Sequence, residues 1–263
     1  MRKAVVPVMI VAIPAYNEET AIAGVIRRIK RNLDCYDESL VLVVDDGSGD
    51  RTAEVAVKSG ANIVVKHSRN MGVACAYRTA IQSALKYGAD IVCTIDADGQ
   101  FNPDDLHKLV APIKNGNTDL VIGSRFIDCQ AKRQVPITNL VANKLMATLV
   151  SALIGTRVYD VESGYRALSR EAAMNLNLLG RVSFSHDMII DLSRQGFRIS
   201  EVPVEVKYFT NRSSRAIPGF LRYGLKSLGV IVMKALSIPG FLSGLSRNQP
   251  SIETICELLN KTE

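Results

Sequence analysis

Asp96 and Asp98 stand one residue apart in VCTIDADGQFNP (92–103), with Gln100 two residues further on. Carboxylate and amide oxygens are hard ligands. They suit Mg²⁺ or Mn²⁺, which takes one or two carboxylates and completes its shell with substrate phosphate oxygens and water. The residues before the pair are apolar, and charge at the end of a buried strand is costly unless something neutralises it. A simple turn accounts for Asn102 and Pro103 as the start of the next helix. A divalent-ion site accounts for the two acids. The three histidines, His67, His107 and His186, lie far from one another and from other ligands in sequence, so zinc is not expected.

Elements that could hold such a site are legible in the hydropathy. Short apolar, β-branched runs at 9–13, 40–44, 62–65, 90–95 and 119–123 read as buried parallel strands. Longer amphipathic stretches at 19–32, 51–59, 72–87 and 103–115 read as the helices between them. The alternation predicts an α/β fold, a mostly parallel open sheet with helices on both faces. Such sheets gather ligands at the carboxyl ends of their strands. There the sequence places PAYNEE (14–19), DDGSGD (45–50), KHSRNMG (66–72), DADGQ (96–100) and GSRF (123–126). Each segment alone could be a turn or a helix cap. Five in a row at five strand ends indicate a ligand. No GxGxxG follows the first strand and no GxxxxGK[ST] occurs, which removes the main support for dehydrogenase and P-loop readings.

The chain has 263 residues, of which 47% are hydrophobic and 22% charged, enough for one large domain. Its five cysteines are scattered without a CxxC pair, which points to a reducing cytoplasm. The apolar N-terminus lacks a small-residue cleavage pattern and reads as a first strand rather than a signal peptide. The net charge of +6 is unevenly spread: no acid occurs between Glu205 and Glu253, whereas seven lysines and arginines do. Such a block calls for an anionic partner. No nucleic-acid-binding signature accompanies it, so phosphorylated ligands or a membrane surface are the expected partners and nucleic acid is not.

The ordered set IPAYNEE, VVDDGSGDRT, TIDADGQFNP and GSRF closely resembles the nucleotide-sugar-binding half of family 2 glycosyltransferases of the GT-A fold. Further on, YDVESGYRALSREA, FSHDMIIDLSRQGFRISEVPVEV and KYFTNRSSR resemble the polyprenyl-phosphate branch, whose familiar members are dolichyl-phosphate mannosyl- and glucosyltransferases. The resemblance covers residues 8 to about 215. It implies that Asp98 and Gln100 bind the metal, and that Asp96 contacts the metal or the ribose. It implies that Pro14, Tyr16 and Glu18 line a base and ribose pocket, and that Asp46 accepts a hydrogen bond from the base, with Asp45 a structural residue. Arg125 becomes a diphosphate or acceptor-phosphate clamp, because guanidinium binds such oxygens bidentately. Pairing with a local acid such as Asp128 is the competing account of Arg125. Arg212 and Arg215 match the family's basic positions, although NRSSR stands where RxxGxSK is common.

Asp187 in FSHDM falls where many members carry an acid near the acceptor. It is either a general base or a first-turn helix acid. Asp160 and Arg166 organise the acceptor loop or form a buried pair. The resemblance implies an inverting, metal-dependent transfer of a hexose from a nucleoside diphosphate sugar to polyprenyl (dolichyl) phosphate. Alternatives are transfer to a saccharide hydroxyl, or nucleotide-sugar binding without catalysis. Residues 1–215 are expected to form the catalytic domain and 216–263 a basic amphipathic extension suited to a membrane interface. The segment 138–158 is too interrupted to span a bilayer and is expected to pack on the domain. The whole reads as a cytoplasmic enzyme, peripheral at the cytoplasmic face of a membrane.

Overall fold

The computed structural model describes residues 7–33, 36, 38–127, 137–176, 184–208 and 252–256. Eight strands form one sheet: β1 (Met9–Ala15), β2 (Ser39–Asp45), β3 (Ile63–His67), β4 (Ile91–Thr94), β5 (Leu120–Ser124), β6 (Arg166–Ser169), β7 (Ile199–Pro203) and β8 (Ile252–Cys256). Their spatial order is β7-β5-β6-β4-β1-β2-β3-β8. β1, β2, β3 and β4 are parallel neighbours, as are β5 and β7. β6 runs antiparallel between β4 and β5, and β8 antiparallel along β3.

Helices α1 (Ile22–Leu33), α2 (Thr52–Lys58), α3 (Val73–Lys86), α4 (Leu106–Lys114), α5 (Ile137–Ile154), α6 (Arg170–Met174) and α7 (Phe184–Arg194) fill the connections, with a 3₁₀ turn at Pro103–Asp105 leading into α4. Apolar residues recur on one side of α1 at Ile22, Val25, Ile26, Ile29 and Leu33, and all five are buried. Alternate residues of the central strands enter opposite cores. Val41 and Val43 of β2 join α1 and α4 on one face, while Leu42 and Val44 join α3, α5 and α7 on the other. Both faces of the parallel strands are therefore covered, which is why they read as unbroken apolar runs.

Three features go beyond what the sequence pattern shows. β6 is a strand that periodicity does not reveal, because its four residues begin at Arg166 and contain no apolar run. The helix expected around 138–158 is present as α5, but its buried side runs through Asn143, Ala147 and Val150, while Leu145 is 59% exposed. The polar residue that interrupts the segment has a use: Asn143 Nδ2 donates to the Tyr159 carbonyl and its Oδ1 accepts from Val161 N. Finally, residues 252–256, which the sequence places in the extension after 215, return to the sheet and cover the β3 edge. Edge strands carry unpaired N–H and C=O groups, and β8 supplies their partners. Arg212, Arg215, Asp128 and residues 216–251 lie outside the described residues. Among the described residues, no helix is long and apolar enough to cross a membrane.

Candidate active site

The carboxyl ends of β1, β2, β4 and β5 meet along one edge of the sheet, and the amino end of antiparallel β6 reaches the same edge. Around β1 and β2, two loops clasp each other. Pro14 is buried within β1 opposite Val44, Tyr16 is 39% exposed just beyond it, and Glu18 is half-buried. Asn17 N donates to Ser48 Oγ and Glu18 N to Thr52 Oγ1, while Gly49 N returns a bond to Asn17 Oδ1. Asp45 is fully buried and accepts from Ser48 N, a turn-closing role that matches its structural assignment.

Asp46 occupies a different setting from the one expected of a base-reading carboxylate. Its Oδ1 accepts from Met71 N and its Oδ2 from Gly72 N, each at 2.9 Å. His67 Nδ1 lies 2.6 Å from Oδ1, and the other ring nitrogen lies 2.9 Å from Thr79 Oγ1 on α3. All three side chains are buried. The carboxylate thus fastens the 67–72 loop and the start of α3 to the end of β2, using N–H groups that precede a helix and have no partner in it. Gly47 reinforces the junction. Its φ of +70° favours glycine, and a Cβ there would fall on the Arg69 backbone.

At the end of β4, Asp98 closes a short turn by accepting from Gln100 N at 2.9 Å, and Gly99 adopts φ +75° within it. Asp96 accepts a 2.5 Å bond from the Tyr77 hydroxyl. Burial and then the charge of Asp98 push the Asp96 pKa from 3.8 to about 6, against the pull of Tyr77, Arg125 and Arg166. Two carboxyls that disfavour each other's ionisation, with Gln100 in the same turn, offer oxygen donors of the kind that suit a hard divalent cation.

Arg125, just past β5, is paired with Asp160. Its Nε donates to Asp160 Oδ2 at 2.7 Å and its second terminal nitrogen to Oδ1 at 2.8 Å. Burial works against its charge, and the Asp160 carboxylate more than offsets this, so the guanidinium pKa lies above its ordinary value. The remaining terminal nitrogen points to the Tyr208 hydroxyl at 3.5 Å. Asp160 is itself fully buried and also accepts from the backbone N–H groups of Arg125, Glu162 and Ser163.

Arg166 is fully buried and donates to the carbonyls of Val161, Ser163 and Ser185, joining the loop before β6 to the first turn of α7. In that turn lie Asp187, 1% exposed, and His186, whose Nε2 is 3.1 Å from Glu162 Oε1. The edge thus combines a cluster of acidic oxygens with a fixed, buried cation. That arrangement can hold a metal-bound, multiply charged anion. Tyr77 and Thr79 escape sequence reasoning, because α3 reads only as a core helix.

Residues 10–176 match the family described as Glycosyl transferase family 2. The UDP-N-acetylglucosamine–dolichyl-phosphate N-acetylglucosaminyltransferase of Methanococcus voltae is 32% identical over 230 residues, 79% of this chain and 90% of that protein. The polyprenol monophosphomannose synthase of Mycolicibacterium smegmatis is 32% identical over 212 residues, 77% of each chain. Among solved structures, glucosyl-3-phosphoglycerate synthase from Mycobacterium tuberculosis, in complex with Mn²⁺, UDP-glucose and glycerol 3-phosphate, superposes with a TM-score of 0.67 at 26% identity. It covers 89% of this chain and 82% of that one. Strand-end motifs, a GT-A sheet and relatives aligned over most of their length converge: this chain is a glycosyltransferase and belongs to glycosyl transferase family 2.

Proposed function

We propose that this glycosyltransferase moves a hexose from a nucleoside diphosphate sugar to polyprenyl phosphate of the dolichyl type, by one inverting displacement. The observation that carries the reading is the juxtaposition at the sheet edge of the Asp96 and Asp98 carboxylates with the Asp160-locked Arg125, whose charge reaches Asp96. Asp96, Asp98 and Gln100 would hold Mg²⁺ or Mn²⁺, which supplies positive charge against the departing diphosphate. Arg125 presents a guanidinium that cannot lose its proton and cannot swing away, a preorganised partner for phosphate oxygens. Pro14, Tyr16 and Glu18 bound the nucleoside end, and Asp46 shapes its wall by holding the 67–72 loop.

A phosphate monoester, with a second pKa of about 6, is already a nucleophile near neutral pH. It needs positive charge to approach the donor rather than a strong base. Arg212 and Arg215, and the acid-free sequence beyond them, provide that charge and draw the enzyme to the cytoplasmic face of an anionic membrane. The names of the Methanococcus and Mycolicibacterium relatives support a lipid-phosphate acceptor. The deciding experiment presents labelled GDP-mannose, UDP-glucose and UDP-N-acetylglucosamine with polyprenyl phosphate and Mg²⁺ or Mn²⁺. Label should enter the organic phase with one donor. If none enters it while a control enzyme works, the reading fails.

A hydroxyl acceptor is the second reading, favoured by the likeness to a synthase that glucosylates phosphoglycerate. In it Asp187 takes the proton from the attacking hydroxyl. Asp187→Asn separates the two: near-normal lipid-phosphate transfer removes the hydroxyl reading, and loss of all transfer favours it.

A further inference from the structure

We propose that Tyr77 is a positioning residue for Asp96, and that Phe184, through Tyr77, links the start of α7 to the metal-binding end of the site. The inference rests on the reading of Asp96 as a metal ligand. Tyr77 lies on the inward side of α3 and is 1% exposed. Its hydroxyl is 2.5 Å from Asp96 Oδ1 and 3.2 Å from the Gly164 carbonyl. A buried core tyrosine needs only one partner for its hydroxyl, and Gly164 would suffice. Here the shorter bond goes to the carboxylate. Burial, and then the charge of Asp96, raise the Tyr77 pKa well above its usual value, so the hydroxyl stays a donor.

Gly164 closes the carboxylate in from the other side. A Cβ at this position would collide with the Tyr77 hydroxyl and fall 2.5 Å from Asp96 Oδ2 and 2.7 Å from Oδ1. The Gly164 carbonyl is pinned in turn by Thr94 Oγ1 at 2.9 Å. Asp96 is thus wedged between a hydroxyl and a backbone segment, which fixes both of its oxygens. Divalent ions with near-octahedral preferences depend on such orientation of their ligands by outer groups.

The Tyr77 ring owes its own placement to Phe184, the first residue of α7, with centroids 3.7 Å apart and planes 17° from parallel. The Arg166 guanidinium lies 5.7 Å from the Phe184 centroid and bonds the Ser185 carbonyl, holding this end of α7 against the loop that carries Gly164. A contiguous series of contacts therefore runs from the start of α7 through Phe184 and Tyr77 to Asp96.

The test is calorimetric binding of UDP and of GDP to the full chain across a Mn²⁺ titration, which requires no turnover. Tyr77→Phe preserves the stack and deletes only the hydroxyl. It should raise the Mn²⁺ concentration for half-maximal nucleotide binding by about tenfold or more, with little change in thermal midpoint. Phe184→Leu should shift it the same way by a smaller factor. If Tyr77→Phe lowers the thermal midpoint but leaves the Mn²⁺ dependence of the wild type, the residue is merely structural and the proposal is overturned. Should Tyr77→Phe fail to fold, an unchanged Mn²⁺ dependence in Phe184→Leu overturns it instead. Nucleotide binding by the wild type that ignores Mn²⁺ overturns the metal-ligand reading itself, a result distinct from either variant behaving like the wild type.

Discussion

At neutral pH the Asp96 carboxyl is ionised in a setting that resists its charge, since burial and Asp98 lift its pKa from 3.8 to about 6. A carboxyl whose pKa is raised on folding weakens the fold once pH exceeds its unfolded value, and that penalty fades as pH falls through about 6. Cation binding requires the ionised form, so it runs in the opposite direction. Mn²⁺-dependent nucleotide binding should therefore weaken toward tenfold per unit as pH drops below about 6, read by calorimetry at fixed ionic strength. Asp96→Asn should unfold at a higher temperature than the wild type at pH 7, by about 1 kcal/mol of added stability, while losing metal-dependent binding. A variant that is both less stable and still metal-dependent would contradict this assignment. Arg125 and Asp160 form a contrasting pair in which each charge is satisfied by the other. Asp160→Ala leaves the guanidinium buried and alone, at a cost of about 3–5 kcal/mol by denaturant titration. Asp160→Asn should cost less, because its carbonyl still accepts from the backbone.

Among the elements, α3 carries more of the site than its sequence suggests. It reads as an amphipathic core helix. Yet Thr79 supports His67, which supports Asp46, while Tyr77 supports Asp96. Thr79→Val keeps the volume and removes the hydroxyl, so it should destabilise the fold by about 1 kcal/mol. It should also raise the KM for the nucleotide sugar more than it lowers kcat, with Thr79→Ser restoring both. Equal loss in both parameters would argue that the 67–72 loop does not shape the donor site. The parallel strands β1 to β5 were legible because burial on both faces leaves uninterrupted apolar runs, and their carboxyl ends carried polar segments that no core needs. β6 was not legible, and it reverses the rule by which the others were read. Since it runs antiparallel, the residues before it, Asp160 to Gly164, reach the site. The partner of Arg125 was hidden for the same reason: Asp160 lies 35 positions further along the chain, and only the sheet order brings it close.

For the whole molecule, the sheet has one end at β7 and the other at β8, with the site along the edge between. Tyr208 lies beside Arg125 and Ile252 pairs with His67, and the basic sequence falls between these two positions in the chain. Binding to anionic vesicles should fall steeply as salt rises through about 0.15 M, measured by co-sedimentation, because charge rather than a spanning helix would drive it. Truncation after Ser251 bares the β3 ladder and should lower the thermal midpoint and produce concentration-dependent self-association in sedimentation velocity. β8 also has a place in time. β1, β2 and β3 are joined by local connections, whereas β3 meets β8 only after the long stretch between His67 and Ile252 has been made. At about 5–20 residues per second of synthesis, the β3 edge waits roughly ten to forty seconds for its last partner. During that interval the β3 edge of the nascent sheet is open, until β8 arrives to seal it.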